Sequence, residues 1–136
     1  MVVLPDEVEV EVEVPRGGFL KWDGPRVEYV SPVPCPFNYG SVPGTLGPDG
    51  DPLDVVLLGP RRPRGHRERA RVVGVVRFLD AGVPDDKLVC GAGSLRGVAS
   101  FFRVYAWARA GLNRLRGLPG RTAFLGVEGR EVLPRE

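Results

Sequence analysis

Three carboxylates, at Asp49, Asp51 and Asp54, fall within six residues of each other and are the side chains best placed for chemistry. Carboxylates this close repel each other, so a fold that holds them together usually neutralises them with a hard cation. The glycine and the proline between them favour a bend, and the apolar run that follows predicts a buried strand. On these residues alone, a structural calcium turn, a solvated loop and a catalytic metal site all remain open.

The basic residues raise a second functional question. The chain has 19 of them, and only Lys21 and Lys87 are lysines. Lysine is a compact point charge with movable donors, whereas arginine presents a rigid planar fork. Where the composition so favours arginine, the two lysines become candidates for a specific role.

The overall charge argues against binding to bulk polyanions. A net charge of +2 predicts no general attraction to nucleic acid or to an anionic membrane. The arginine-rich segment at 61–71 could still form a nucleic-acid patch on a small barrel. It lacks interleaved aromatic residues, however, and Glu68 interrupts it. We therefore interpret it as a solvated turn, and we expect neither a nucleic acid nor a membrane as partner.

Cysteine and histidine are too few for a zinc site of the Cys/His type. Cys35 and Cys90 do not lie in a Cys-x-x-Cys motif, and His66 is the sole histidine. We expect both thiols to be reduced, small buried residues. No apolar run reaches the length of a signal sequence or a membrane span, so we expect a cytoplasmic protein.

Many short strands and one helix must position these side chains. Strict alternation of glutamate and valine at 7–14 predicts a strand with one core face. Apolar residues at three- and four-residue spacing predict a helix from about Leu95 to Arg116, capped by Ser94 and ended by Gly117. Its predicted stripe comprises Val98, Phe101, Phe102, Tyr105, Ala108 and Leu112. Further strands are predicted at 19–22, 26–30, 55–58, 72–78 and 87–90, an irregular loop at 31–50, a basic turn at 59–71, and a hairpin of 122–127 with 130–133 around Glu128-Gly129.

These elements indicate one domain over residues 1–136. The fold class predicted is mainly β (α+β), a small, mostly antiparallel barrel with one main flanking helix. Nothing in the pattern suggests a repeat, a low-complexity linker or a second domain.

An ordered set of motifs resembles the soluble family I inorganic pyrophosphatases along nearly the whole chain. The motifs are Glu13-Val14-Pro15, Lys21-Trp22-Asp23, Pro36-Phe37-Asn38-Tyr39-Gly40, Thr45-Leu46, the run from Asp49 to Val55, Val72-Val73-Gly74-Val75 before Asp80, Asp85 and Lys87, Phe101-Phe102-x-x-Tyr105, and Val127-Glu128-Gly129. The resemblance implies a five-stranded OB-like antiparallel barrel. It also implies hydrolysis of pyrophosphate to two phosphates with several Mg²⁺ ions, for which Mn²⁺ or Zn²⁺ can substitute. Bacterial members commonly form homohexamers, so a homo-oligomer is expected.

The resemblance also implies roles for individual residues. Asp49, Asp54 and Asp85 would be the tightest metal ligands, with Asp80 joining Asp85 and with Glu13 at the edge of the cluster. Asp51, itself among the metal ligands, would orient and deprotonate the water that bridges two metals, and Tyr39 would assist catalysis. Lys21, Arg26, Lys87, Tyr39 and Tyr105 would hold the phosphates.

The sequence departs from the family pattern at one basic position. Ala106 stands where a second phosphate-binding lysine usually follows the helix tyrosine, and Arg103 and Arg109 are candidates to replace its charge. An extra residue between Arg26 and Asn38 shifts the register of Arg26. The stretch between Lys87 and Phe101 is shorter than usual, and the chain stops soon after Val127-Glu128-Gly129, before the final helix of other members. An alternative is therefore a catalytically weak homologue that binds metal and a phosphorylated ligand.

Overall fold

The structure of the chain is a computed structural model. It describes residues 5–18, 20–23, 26–30, 34–45 and 52–129, without the side chains of 20–23 and 26–30. These ranges contain nine strands and one helix: β1 (Glu7–Val14), β2 (Leu20–Asp23), β3 (Arg26–Val30), β4 (Asn38–Ser41), β5 (Asp54–Leu57), β6 (Arg67–Asp80), β7 (Val83–Pro84), β8 (Lys87–Cys90), α1 (Leu95–Leu115) and β9 (Ala123–Gly129).

Five strands close into a ring, in the order β1-β4-β5-β8-β6 and back to β1. The ring, with one flanking helix in the described part of the chain, confirms the predicted mainly β, OB-like barrel. One pair differs from the antiparallel expectation, because β5 and β8 run parallel. Parallel neighbours need a crossover connection, and here the long strand β6 lies between them in the chain. The sequences of β5 and β8 are two short apolar runs, and such runs do not reveal whether the strands pair in parallel or antiparallel.

Strand β6 is the longest strand of the sheet and pairs with several other strands. It pairs with β1 through its first residues, with β8 and β9 further on, and with β7 at its end. The predicted basic turn at 59–71 is wrong for residues 67–71, which form the start of this strand. Arg67 lies 3.3 Å from Glu9 and 3.2 Å from Glu11, and Arg69 lies 3.6 Å from Glu7. Cross-strand glutamates thus neutralise this part of the basic segment.

Two further sequence predictions need correction. The predicted irregular loop at 31–50 contains β4, whose four residues were obscured by the surrounding prolines and glycines. The predicted turn at Glu128-Gly129 is wrong, because both residues lie within β9, opposite Val75 and Gly74. Its second strand, 130–133, lies outside the described residues.

The helix follows its prediction closely. The Ser94 hydroxyl accepts a hydrogen bond from the Arg96 N–H at 3.2 Å, and Gly117 ends the helix with a φ of +68°. Ala106 and Asn113 are buried, whereas the predicted stripe residues Ala108 and Leu112 are only half-buried. The buried face is therefore rotated slightly from the predicted one. No helix in the described part of the chain has the length and apolar character needed to cross a membrane.

Two apolar clusters lie on opposite faces of the barrel strands. Val55 and Leu57 of β5 point into the ring, where the cluster consists of strand residues and Val42, which follows β4. Val56 points to the other face, where it belongs to the cluster that includes the helix residues Phe101 and Phe102. Because successive strand residues alternate between faces, Asp54 shares the helix-covered face with Val56.

Candidate active site

Lys87 is the centre of the charged site on this face. Its side chain is only 1% exposed, and its Nζ atom lies 3.1 Å from Asp54 Oδ2 and 2.8 Å from Asp85 Oδ2. The same atom lies 5.4 Å from the centroid of the Phe78 ring. One ammonium thus faces two carboxylates, which leaves the trio with a net negative charge.

The pairing of the strands explains why Asp54, Asp85 and Lys87 lie close together. Asp54 and Lys87 are direct neighbours across the parallel β5–β8 pair. The Lys87 side chain lies on the same face of β8 as that of Val89, which belongs to the cluster under the helix. The Asp85 N–H donates to the Phe78 carbonyl at 2.9 Å, which turns the chain so that the Asp85 carboxylate reaches Lys87.

Tyr39 lies beside the same carboxylates. It is on β4, opposite Val56, and its hydroxyl donates to Asp54. Burial is the main cause that raises the pKa of Tyr39 well above its ordinary 10.0, followed by the charges that Asp54, Tyr105 and Asp85 carry when ionised. Tyr39 therefore remains a neutral hydrogen-bond donor at physiological pH.

Tyr105 reaches the site from the helix. Its ring packs edge-on against Phe78 with the centroids 5.5 Å apart, and it also contacts the rings of Phe101 and Phe102. Tyr39 and Tyr105 both pack against the apolar cluster under the helix, so the two side chains lie on the same face of the barrel. Two predicted phosphate ligands are thus brought together with Lys87.

Asp80 has different partners from the other site carboxylates. It ends β6, and its Oδ2 atom lies 3.1 Å from Arg109 Nη2. Asn113 Nδ2 donates to Asp80 Oδ1 at 2.8 Å. Both partners belong to α1, so Asp80 joins the sheet to the helix.

Comparison with known protein families shows to which family this chain belongs. The family model described as inorganic pyrophosphatase matches residues 8–101, more than half of the chain. The chain belongs to the inorganic pyrophosphatase family.

Individual relatives agree with this assignment. The inorganic pyrophosphatase of Gluconobacter oxydans is 32% identical over 96 residues, covering 64% of this chain and 56% of the relative. That of Saccharolobus solfataricus is 39% identical over 95 residues, covering 62% and 55%. The chain thus spans about half the length of the curated relatives that it matches.

The fold of solved pyrophosphatases is also similar. The crystal structure from Thermus thermophilus superposes with a TM-score of 0.73 at 26% identity, covering 93% of this chain and 84% of the other. The structure from Neisseria gonorrhoeae gives a TM-score of 0.67 at 29% identity, with the same coverage.

The remaining predicted site residues divide into described and undescribed ones. Glu13, on β1, is half-buried, and its Oε2 atom is enclosed by protein. Asp49 and Asp51 lie outside the described residues, as do the side chains of Lys21 and Arg26. Within the described ranges, no three Asp, Glu, His or Cys side chains gather as metal ligands, so Asp54 and Asp85 supply a pair.

The two arginines that were candidates to replace the missing lysine separate in the structure. Ala106 itself is buried in the cluster under the helix. Arg103 lies over the Phe124 ring, 6.0 Å from its centroid, whereas Arg109 reaches Asp80. Arg109 is therefore the one whose charge lies at a predicted site residue.

Sequence reasoning missed Asn113 and Thr122. Asn113 lies one helical turn after Arg109, and its Nδ2 atom donates to Thr122 Oγ1 at 2.8 Å as well as to Asp80. A polar residue next to Leu112 of the predicted apolar stripe was the available signal. Nothing in the spacing of Thr122 pointed to it.

Proposed function

We propose that this protein hydrolyses inorganic pyrophosphate to two phosphates and requires Mg²⁺. The observation that carries the proposal is the buried Lys87 ammonium between the Asp54 and Asp85 carboxylates. Family membership supports the reaction type. The phenols of Tyr39 and Tyr105 beside the carboxylates support phosphate as the group that binds here.

The donor set at Asp54 and Asp85 fits a hard divalent cation. Mg²⁺ prefers oxygen ligands and keeps several waters, so a carboxylate pair on a partly open face suits it. Asp49, Asp51 and Glu13 would complete the ligand set, and the resemblance adds Asp80. When bound, Mg²⁺ would neutralise phosphoryl oxygens and lower the pKa of water, with Mn²⁺ or Zn²⁺ able to replace it.

The chain's own residues supply orientation and proton handling. Lys87 is fixed by two ion pairs, so its remaining N–H can donate to a phosphate oxygen with little loss of side-chain entropy. Tyr105 would donate its hydroxyl proton to a phosphate oxygen, and Tyr39 would do the same once its hydroxyl turns away from Asp54. Asp51 would take the proton from the attacking water, and Lys21 and Arg26 would hold the opposite phosphate.

A phosphate-release assay with pyrophosphate and Mg²⁺ tests this proposal. Asp85→Asn removes a carboxylate from Lys87, and we expect it to lower kcat/KM by about 100-fold or more. Asp86→Asn is the matched control, because that neighbouring carboxylate pairs with Arg77 instead, at 3.0 Å. Wild-type release no faster than that of Asp51→Asn would exclude the catalytic function.

A second candidate is a weak or inactive homologue that binds metal and a phosphorylated ligand. Burial of Ala106 favours it, because no side chain at that position extends a charge toward the phosphates. Calorimetry would then detect Mg²⁺-dependent pyrophosphate binding while turnover stays near background. An increase in rate on Ala106→Lys would identify the missing lysine as the limiting defect, whereas an unchanged rate would place the defect elsewhere.

Assembly and location are also part of the proposal. The resemblance supports a homo-oligomer, a hexamer in related bacterial proteins, and light scattering measures its mass directly. Cys35 and Cys90 are both free and buried, which suits a reducing compartment such as the cytoplasm.

A further inference from the structure

The Asp80 carboxylate is bound through both of its oxygens. Oδ2 lies 3.1 Å from Arg109 Nη2 and 3.2 Å from Arg109 Nε, so the guanidinium contacts it through two nitrogens. Oδ1 accepts from Asn113 Nδ2 at 2.8 Å. Arg109 and Asp80 are both mostly buried, with about a fifth of each side chain exposed.

The contacts of Asp80 continue into a larger network. Asn113 is 3% exposed, and its amide also donates to Thr122 Oγ1. That hydroxyl in turn accepts from the Ala81 N–H at 3.0 Å. Ala81 has a φ of +50°, an unusual conformation for a residue with a side chain, and it follows Asp80 directly. The network therefore joins the end of β6, the last turns of α1 and the segment that leads into β9.

Arg109 Nε also lies 3.4 Å from Asp80 Oδ1, so four donor contacts reach the two oxygens. A carboxylate offers about four lone-pair sites, so these contacts occupy the ones that a metal would need. Mg²⁺ demands near-octahedral oxygen ligands at short distance, so Asp80 could bind it only by losing donors from Arg109 and Asn113. Charge-assisted hydrogen bonds between arginine and a carboxylate are roughly twice as strong as neutral ones. Asp80 also forms no three-residue ligand group with other described carboxylates.

We propose that Asp80 is a positioning residue in this chain and not a metal ligand. Through Arg109 and Asn113 it holds α1 against β6, and so holds Tyr105 against Phe78 beside Tyr39. Mg²⁺ then binds at the Asp54–Asp85 end of the site alone. This inference concerns the same site as the proposed function and rests on it for the identity of the cation.

Calorimetric titration with Mg²⁺ tests the metal half of the inference. We expect Asp80→Asn to bind as many Mg²⁺ ions per chain as the wild type. Asp85→Asn, the positive control, should bind fewer or bind with an affinity lowered by 10-fold or more. Loss of an ion in Asp80→Asn overturns the inference.

Thermal melting in EDTA tests the positioning half without any metal. Asp80→Asn and Arg109→Met should each lower Tm by about 3–6 °C. The double variant should melt close to the worse single variant, because both remove the same contact. Arg103→Met, on the same helix, is the control for the loss of an arginine. Additive losses, or no loss in Asp80→Asn, overturn the positioning role.

A kinetic measurement separates positioning from general stability. Asp80→Asn should raise KM for pyrophosphate in the same direction as Tyr105→Phe, and the double variant should resemble Tyr105→Phe alone. Independent effects of the two changes contradict action through Tyr105. A wild type that neither binds Mg²⁺ nor releases phosphate refutes the proposed function, and the melting cycle in EDTA still decides whether Asp80 holds the helix.

Discussion

The ammonium of Lys87 lies between the carboxylates of Asp54 and Asp85 and offsets their mutual repulsion. Asp54 and Asp85 are 14% and 17% exposed, so their mutual repulsion is only partly screened by water. Breaking a buried ion pair by removing one partner is costly, because the other charge stays behind without compensation. The lysine therefore contributes to folding as well as to the proposed binding of phosphate.

Lys87→Met should lower the free energy of unfolding by about 3 kcal/mol in EDTA. Urea denaturation measures this loss, and we expect it to shrink in saturating Mg²⁺, which neutralises the same carboxylates. Arg77→Met is the matched control, since Arg77 also bridges two carboxylates, Asp86 and Glu128, but at the surface. We expect it to cost less than about 1 kcal/mol, and an equal cost for the two variants would contradict the role of burial.

The phenol of Tyr39 should titrate at a higher pH than a solvent-exposed tyrosine. Burial and the neighbouring carboxylates raise its pKa, so the phenolate forms only above the usual range. Across the pH range in which exposed tyrosines ionise, ultraviolet titration should give the same change in absorbance for the wild type and for Tyr39→Phe. A smaller change in the variant would show that Tyr39 ionises normally.

At the scale of elements, close approach of strands constrains the barrel. A Cβ atom on Gly40 of β4 would collide with the Glu11 carbonyl of β1, and one on Gly74 of β6 would lie 2.7 Å from the Glu128 carbonyl of β9. Glycine is needed at both positions because the neighbouring backbone cannot move without breaking the sheet.

Gly40→Ala should therefore destabilise the protein by about 3 kcal/mol or more, because the added methyl separates β1 from β4. Gly111→Ala is the control with the opposite sign: Gly111 lies within α1, four residues before its end, and its Cβ would meet only open space. Alanine restricts the backbone of the unfolded chain more than glycine does, so this change should stabilise the folded protein by about 0.5–1 kcal/mol. Chemical denaturation of the two variants measures both effects, and a similar sign for the pair would refute the explanation.

Elements with a strong periodic signal were predictable from sequence. The glutamate–valine alternation located β1 without error, and the helix ended one residue from its predicted limit. β4 and the first part of β6 were not predictable, because their pairing depends on partners that are distant in sequence. At the site, Lys87 and Asp54 were recognisable from motifs, whereas the Asp80–Asn113 contact requires the fold to bring together residues 33 positions apart.

At the scale of the whole molecule, each of the two cysteine thiols lies in a different apolar cluster. Cys35 lies in the cluster under the helix and Cys90 in the cluster inside the ring. Burial raises the pKa of each thiol from an ordinary 9.0 to about 12. Both cysteines therefore behave as small apolar residues, as the sequence predicted.

The raised thiol pKa values predict a loss of stability in alkaline solution. The unfolded chain releases these protons near pH 9 while the folded protein retains them until about pH 12. The contribution of the thiols is thus complete below pH 9 and is lost as the pH rises through this window, by about 1.4 kcal/mol per pH unit for each thiol. Denaturation between pH 8 and 12 should show a shallower decline for the Cys35→Ala/Cys90→Ala double variant, and equal slopes would contradict the shifts.

The parallel pairing of β5 with β8 also sets an order of events in synthesis. Asp54 emerges from the ribosome well before Lys87, and the two can become neighbours only after β6 and β7, which separate them in the sequence, have been synthesised. Loop closure over such a separation is slow compared with local pairing. The charged centre is therefore completed late, and a nascent chain that stops before β8 carries an acidic run without its counter-ion. Ribosome-stalled chains of increasing length would acquire the site only once the β8 segment is free to pair.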